Sequence, residues 1–171
     1  MSEYKRLEGK KVIVVGGASG IGAACAKMMA SEGADVAVVD LDGELASGVA
    51  SELVELGHVC FSFQMDVRDH RGMQEAIDKA AEQLEGLDVL VNSAGIPEYK
   101  YFWEIEEEMW DRMIAVNLKG VYNGMAAAVG KMKDNSYGRV INISSVGGII
   151  GTQLHSHYSA AKAGVIGLSK A

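Results

Sequence analysis

The chain has 171 residues, 49% of them hydrophobic and 23% charged, with a formal net charge of −7. That length suffices for one domain with its own core, and the acidic balance excludes a surface built for nucleic acid or anionic lipid. The longest apolar runs, VIVV and VAVV, are too short to cross a bilayer, so no membrane association is expected. Cys25 and Cys60 show neither CxxC nor metal-ligand spacing; no metal site is expected, and they read as reduced core thiols of a cytoplasmic protein. The opening MSEYKRLEGKK is a polar leader without an apolar signal region.

Short β-branched runs then alternate with longer helical patterns. A strand over 11–15 enters the glycine-rich GGASGIG and a helix over 21–31. Strand 34–40, helix 44–56, strand 58–65, helix 71–84 and strand 87–92 follow. A long helix over 104–133, its acidic start suited to the helix dipole, leads to strand 139–144 and a last helix from residue 157. Gly33, Gly57 and Gly86 fall just after three helices, where a left-handed C-terminal residue is wanted. The strands are nearly continuous apolar runs, as in a parallel sheet covered on both faces, and the whole predicts one doubly wound α/β unit.

The first turn carries Gly16, Gly20 and Gly22, a G-x-x-x-G-x-G pattern between strand and helix. Residues without side chains let the backbone turn tightly and approach a pyrophosphate, which the following helix N-terminus meets with amides and a favourable dipole. Ser19 and Ile21 lie in the same turn and are assigned to cofactor contact with it. Asp40 closes the second strand, 18 residues after Gly22, where an acid accepts hydrogen bonds from the adenosine ribose hydroxyls. It is followed by Leu41, Asp42 and Gly43 rather than a cation, which favours NAD over NADP because a carboxylate repels a 2′-phosphate. Asp42 is better placed than Asp40 to cap the next helix.

Tyr158 and Lys162 stand four residues apart in HYSAAKAGVIG, and Ser145 lies thirteen residues before the tyrosine. On a helix, i and i+4 share a face, so the ammonium can sit beside the phenol. A free phenol, with a pKa of about 10, is a poor acid–base catalyst at neutral pH, and making it competent takes about 4 kcal/mol. One positive charge at about 4 Å supplies that much at an effective dielectric near 20. Ser144 competes with Ser145 for the hydroxyl role, and the spacing favours Ser145. His155 and His157 flank the site and read as loop or packing residues, as Trp103, Trp110 and the methionines read as core. Tyr99 and Tyr101 are candidates for the substrate mouth.

These residues resemble the classical short-chain dehydrogenase/reductase family along the whole chain. Gly16, Gly20 and Gly22 match its glycine turn, with Val15 where a threonine is common. Asp66 and Val67 resemble its adenine-contacting pair; Asn92, Ala94 and Gly95 resemble its NNAG, with Ser93 replacing the second asparagine. Asn117 matches the helical asparagine that holds a water beside the lysine, and Ser145, Tyr158 and Lys162 complete a tetrad. The resemblance implies a Rossmann-type sheet of order 3-2-1-4-5, continued in the family by two further strands and a substrate loop. It also implies NAD as cofactor, Tyr158 and Lys162 touching it, a small alcohol or ketone as substrate, and a homo-oligomer, dimer or tetramer, through the fourth and last helices. The expected activity is interconversion of a secondary alcohol and a ketone. A non-catalytic NAD(H)-binding module and an NADP-dependent 3-oxoacyl-carrier-protein-type reductase are the alternatives. Because the family's closing elements are missing, the sequence is expected to be part of a longer protein, with an open edge on its fifth strand.

Overall fold

A computed structural model describes residues 5–171. Five parallel strands form one sheet in the order β3-β2-β1-β4-β5: β1 Lys11–Val15, β2 Asp35–Asp40, β3 Cys60–Gln64, β4 Val89–Asn92 and β5 Arg139–Asn142. This is the Rossmann-type order that the resemblance implied. In β1, residues of opposite parity enter opposite layers, as the two-residue period of a strand requires. Ile13 and Val15 join Met73, Ile77 and Ala128 on one face. Val12 and Val14 join Ala26, Ala30 and Leu53 on the other. The helices thus cover both faces, with α1 (Gly20–Ser31) and α2 (Gly43–Glu55) opposite α3 (His70–Gln83) and α5 (Gly120–Asp134).

Local chemistry sets the helix ends. Asp42 caps α2, its carboxylate accepting from the Leu45 amide at 3.0 Å, and Asp69 caps α3 through the Arg71 and Gly72 amides. Gly33 and Gly57 take the left-handed conformation after their helices, at φ +95° and +87°. After α3 that conformation falls on Glu85, at φ +60°, one residue before the expected Gly86.

Several elements differ from the sequence expectation. The strands are trimmed to the residues that pair in register; 58–65 becomes Cys60–Gln64, and 139–144 becomes Arg139–Asn142. The long fourth helix is segmented into a 3₁₀ turn at Phe102–Glu104, α4 at Glu107–Ile114, a π turn at Ala115–Lys119, and then α5. A short helix, α6 (Gly147–Ile150), precedes α7 (Ser156–Lys170), where the sequence shows no helical pattern. Trp103 is 80% exposed rather than part of the core, whereas Met73 and Met113 are fully buried. β5 is the last strand on its side of the sheet, and no described strand pairs its outer edge.

Asn92 shows how closely α5 sits on the sheet. Its amide donates to Asn142 Oδ1 at 2.8 Å, and a Cβ on Gly124 would stand 2.3 Å from its Oδ1. Gly124→Ala should therefore displace Asn92 from that hydrogen bond and cost about 2 kcal/mol. Gly48→Ala, in α2 with open space around it, should instead stabilise by about 0.5–1 kcal/mol. Urea denaturation of the two variants checks the opposite signs.

Candidate active site

β1 lies between β2 and β4, so the strand order reverses there and the chain leaves a crevice at the strands' carboxyl ends. Gly16, at φ +77°, forms its floor, and a Cβ on it would lie 2.3 Å from the Ala94 nitrogen. Gly22 does not face the crevice; it packs beneath Gly16, whose carbonyl oxygen would be 1.9 Å from its Cβ. Gly17 likewise turns inward, against Val14 and Val38. Gly20, at φ +52° with open space, supplies conformation rather than closeness. Ser19 occupies the N-cap position of α1, makes no side-chain cap hydrogen bond, and has no acidic residue in the turn that follows. That helix end keeps amides and a positive dipole for a ligand anion.

The cleft encloses about 660 Å³. At one end, Gly16, Ser19, Gly20 and Ile21 face Asp40, Leu41, Asp66 and Val67; at the other, Ala94, Gly95 and Asn117 face Tyr158 and Lys162. Asp40 accepts from the Ala18 amide at 3.0 Å and from the Asp42 amide at 3.2 Å, one on each oxygen, which leaves each oxygen acceptor capacity. Asp66 is held in a fork by Arg68, with Nε at 3.0 Å from both oxygens and the terminal nitrogen at 2.6 Å from one. The Arg68 guanidinium keeps the Asp66 carboxyl below the usual carboxylate range. Arg68 itself lines the cleft and was missed in the sequence; its signal was the Asp-x-Arg spacing in MDVRD.

Lys162 is 4% exposed and donates to the Ile143 carbonyl at 2.9 Å. Its ammonium stands 5.7 Å from the centre of the Tyr158 ring, on the same side of α7. Burial pushes the Lys162 pKa below its ordinary value of 10.5. Gly95 lies where this group meets Asn117, since a Cβ there would be 2.6 Å from Asn117 Oδ1 and 3.5 Å from Lys162 Nζ.

Asn117 sits in the π turn, fully buried. Its side-chain amide donates to the Ile96 carbonyl at 3.1 Å and the Met113 carbonyl at 3.2 Å, and its oxygen accepts from the Ile96 amide at 3.2 Å. These bonds make the side chain a brace between the helix and the loop after β4.

Two further expected residues stand back from the cleft wall. Asn92 braces β4 against β5. Ser145 lies beside the wall that Ser144 lines. Ser144 gives its proton to the Lys162 carbonyl at 2.8 Å, whereas Ser145 Oγ accepts from the Gly147 amide at 3.1 Å and keeps its own proton. Around them, His155 and His157 are buried, as packing residues should be, and the Tyr99 ring lies tilted against His155 at 3.9 Å between ring centres. Cys60 is a buried thiol pushed up to about 11 by its surroundings. Among the described residues no cluster of His, Cys, Asp and Glu could hold a metal, and no helix is long and apolar enough to cross a membrane.

Comparison with known proteins extends this geometry. A family model described as short chain dehydrogenase matches residues 10–171. The 2,5-dichloro-2,5-cyclohexadiene-1,4-diol dehydrogenase LinX of Sphingobium indicum is 41% identical over 166 residues, covering 97% of this chain and 66% of the relative. The 3-oxoacyl-[acyl-carrier-protein] reductase FabG of Thermotoga maritima is 39% identical over 165 residues, covering 96% of this chain and 67% of the relative. A solved short chain dehydrogenase from Mycobacterium avium superposes with a TM-score of 0.89 at 36% identity, over 95% of this chain and 61% of its own. The chain thus spans about two thirds of the length of the relatives it matches.

The buried ammonium carries a stability cost with a definite pH signature. Because the folded Lys162 pKa is lowered, the unfolded chain holds the extra proton between that value and 10.5. Stability from this group therefore rises with pH across that window, and the cost is present in full below it. Urea denaturation at pH 8, 9 and 10 should show the wild type gaining on Lys162→Met as pH rises; a constant or widening deficit contradicts this.

Proposed function

The chain belongs to the short-chain dehydrogenase family, and we propose that it is an NAD-dependent oxidoreductase interconverting a secondary alcohol and a ketone, with Tyr158 as the acid–base group. The observation that carries this reading is the Lys162 ammonium, buried against the Tyr158 ring in the same cleft as the Gly16–Gly20 turn. The residues present fit a dinucleotide. The floor at Gly16 has no room for a side chain, and the α1 end is open to a pyrophosphate.

When bound, the nicotinamide supplies the hydride donor or acceptor. Tyr158 takes the hydroxyl proton of the carbinol in oxidation and returns it to the carbonyl oxygen in reduction. Lys162 sets positive charge against the ring, which compensates the negative charge that grows on the phenol oxygen as its proton leaves. Ser145 donates its unspent proton to the same substrate oxygen, a role that Ser144 cannot share while it bonds the Lys162 carbonyl. Asn117 holds the loop after β4 against the helix, and with it Gly95 below Lys162.

Asp40 and Leu41 favour NAD, since the carboxylate opposes a 2′-phosphate and no cation follows it. Arg68 is the one observation toward NADP and the carrier-protein-reductase reading, but its guanidinium is spent on Asp66. The same reading includes a single dinucleotide-binding domain, a cytoplasmic location and a homo-oligomer. Tyr122 and Val129 on α5 are exposed for such a contact, whereas Gly120, Gly124 and Gly164 already serve internal packing.

A panel of secondary alcohols with NAD, followed by NADH absorbance, tests the activity. Tyr158→Phe should bind NAD as the wild type does and lose turnover by about 10²–10⁴-fold; unchanged turnover removes the mechanism. A wild type that binds NAD but oxidises none of the panel favours the non-catalytic module. Asp40→Ser should weaken NAD binding by about 10-fold or more and narrow the preference over NADP.

A further inference from the structure

His157 is fully buried immediately before Tyr158, and neither ring nitrogen has a hydrogen-bond partner. Glu98, in the loop after β4, presents an oxygen that is also buried and unpartnered, 3.5 Å from His157 Nε2. Its other oxygen accepts from Arg112 on α4 at 2.9 Å, and Arg112 lines the cleft. Two orphaned buried polar atoms facing each other call for an explanation in a native fold. A separation of 3.5 Å is longer than a charge-assisted hydrogen bond, so a shift of less than about 1 Å would close it. Hydrogen bonds around a reaction centre are often long before ligands bind and tighten afterwards.

The surroundings restrict what this pair can move. The loop that bears Glu98 is tied to the entry of α7 by the Lys100 amide, which donates to the Leu154 carbonyl at 2.8 Å. His155 packs between Tyr99 and the Tyr158 ring, with ring centres 3.9 and 5.4 Å away. Burial works against an ionised Glu98, yet Arg112 first and His157 second hold its carboxyl below the usual range. The carboxylate is thus charged and anchored at one end, with the free end aimed at the turn that carries Tyr158.

We propose that Glu98 is a positioning residue, which takes the His157 ring N–H on its free oxygen and so seats the first turn of α7, placing the Tyr158 phenol in the cleft. This rests on the oxidoreductase reading above. The tie acts through His157 and touches neither substrate nor cofactor.

The test compares His157→Leu, His157→Gln, Glu98→Ala and the double variant Glu98→Ala/His157→Leu in the full chain. His157→Leu and Glu98→Ala should each lower kcat by about 10- to 100-fold with KM and NAD affinity unchanged. The double variant should lose no more than either single one, and His157→Gln, which restores a donor, should recover most of kcat. Additive losses, an unchanged kcat, or a matching loss of NAD affinity overturns the proposal. Hydrogen exchange over residues 155–163 reads the same tie without turnover. Both single variants should speed it to the level of the double, and unchanged exchange also overturns the proposal. If the wild type oxidises no alcohol, the oxidoreductase reading fails, and the exchange result alone decides the tie.

Discussion

An ammonium with one protein acceptor and almost no water is an unfavourable thing to fold around, and Lys162 is such a group. The chain holds it there with packing that tolerates little change. Ser144 bonds its carbonyl, and Gly148 lies so close that a Cβ would meet the Lys162 carbonyl carbon at 2.6 Å. Two residues further on, Gly164 seats against Leu118 of the π turn. The end of β5, α6 and the π turn therefore converge on the helix that bears Tyr158 and Lys162. Desolvation is what makes the charge useful, because an electrostatic interaction weakens as water enters. Stability given up at this point is returned by the two apolar layers on the sheet.

The cleft and the segment at Tyr99–Trp103 differ in character. Beside the glycine turn the cleft presents fixed polar groups: Asp40 is aligned by two backbone amides, and Asp66 is locked by Arg68. That segment is aromatic and exposed, with Tyr101 and Trp103 stacked at 5.0 Å and Tyr99 tilted on the buried His155. Aromatic rings offer large contact area without fixed hydrogen-bond geometry.

The alternation of apolar strands and helical patterns revealed the sheet and its covering layers, because burial on both faces demands that pattern. The glycine turn was equally plain, since Gly16 and Gly22 are required by contact distances that no other residue meets. Hidden from one-dimensional reading were features that arise from packing. The π turn around Asn117 comes from bracing Ile96, a residue 21 positions away. Ser144 spends its proton on the Lys162 carbonyl, whereas Ser145 only accepts, from the Gly147 amide. Trp103 looks like core by composition, but the 3₁₀ turn carrying it holds it out in solvent. Nor does spacing alone show that Glu98 and His157 face each other across 59 residues.

The contact between Gly16 and Ala94 has a bearing on how such a protein can change over generations. Two crossover loops meet there with no methyl-sized slack, and Gly22 fills the layer beneath. A substitution in any of the three would shift the others, so drift at one position requires simultaneous accommodation at its neighbours. Variation is channelled instead toward the aromatic loop around Tyr99–Trp103, whose outward side chains can be exchanged without disturbing that interlock. A lineage built on this floor can acquire new specificities while its nucleotide grip stays the same.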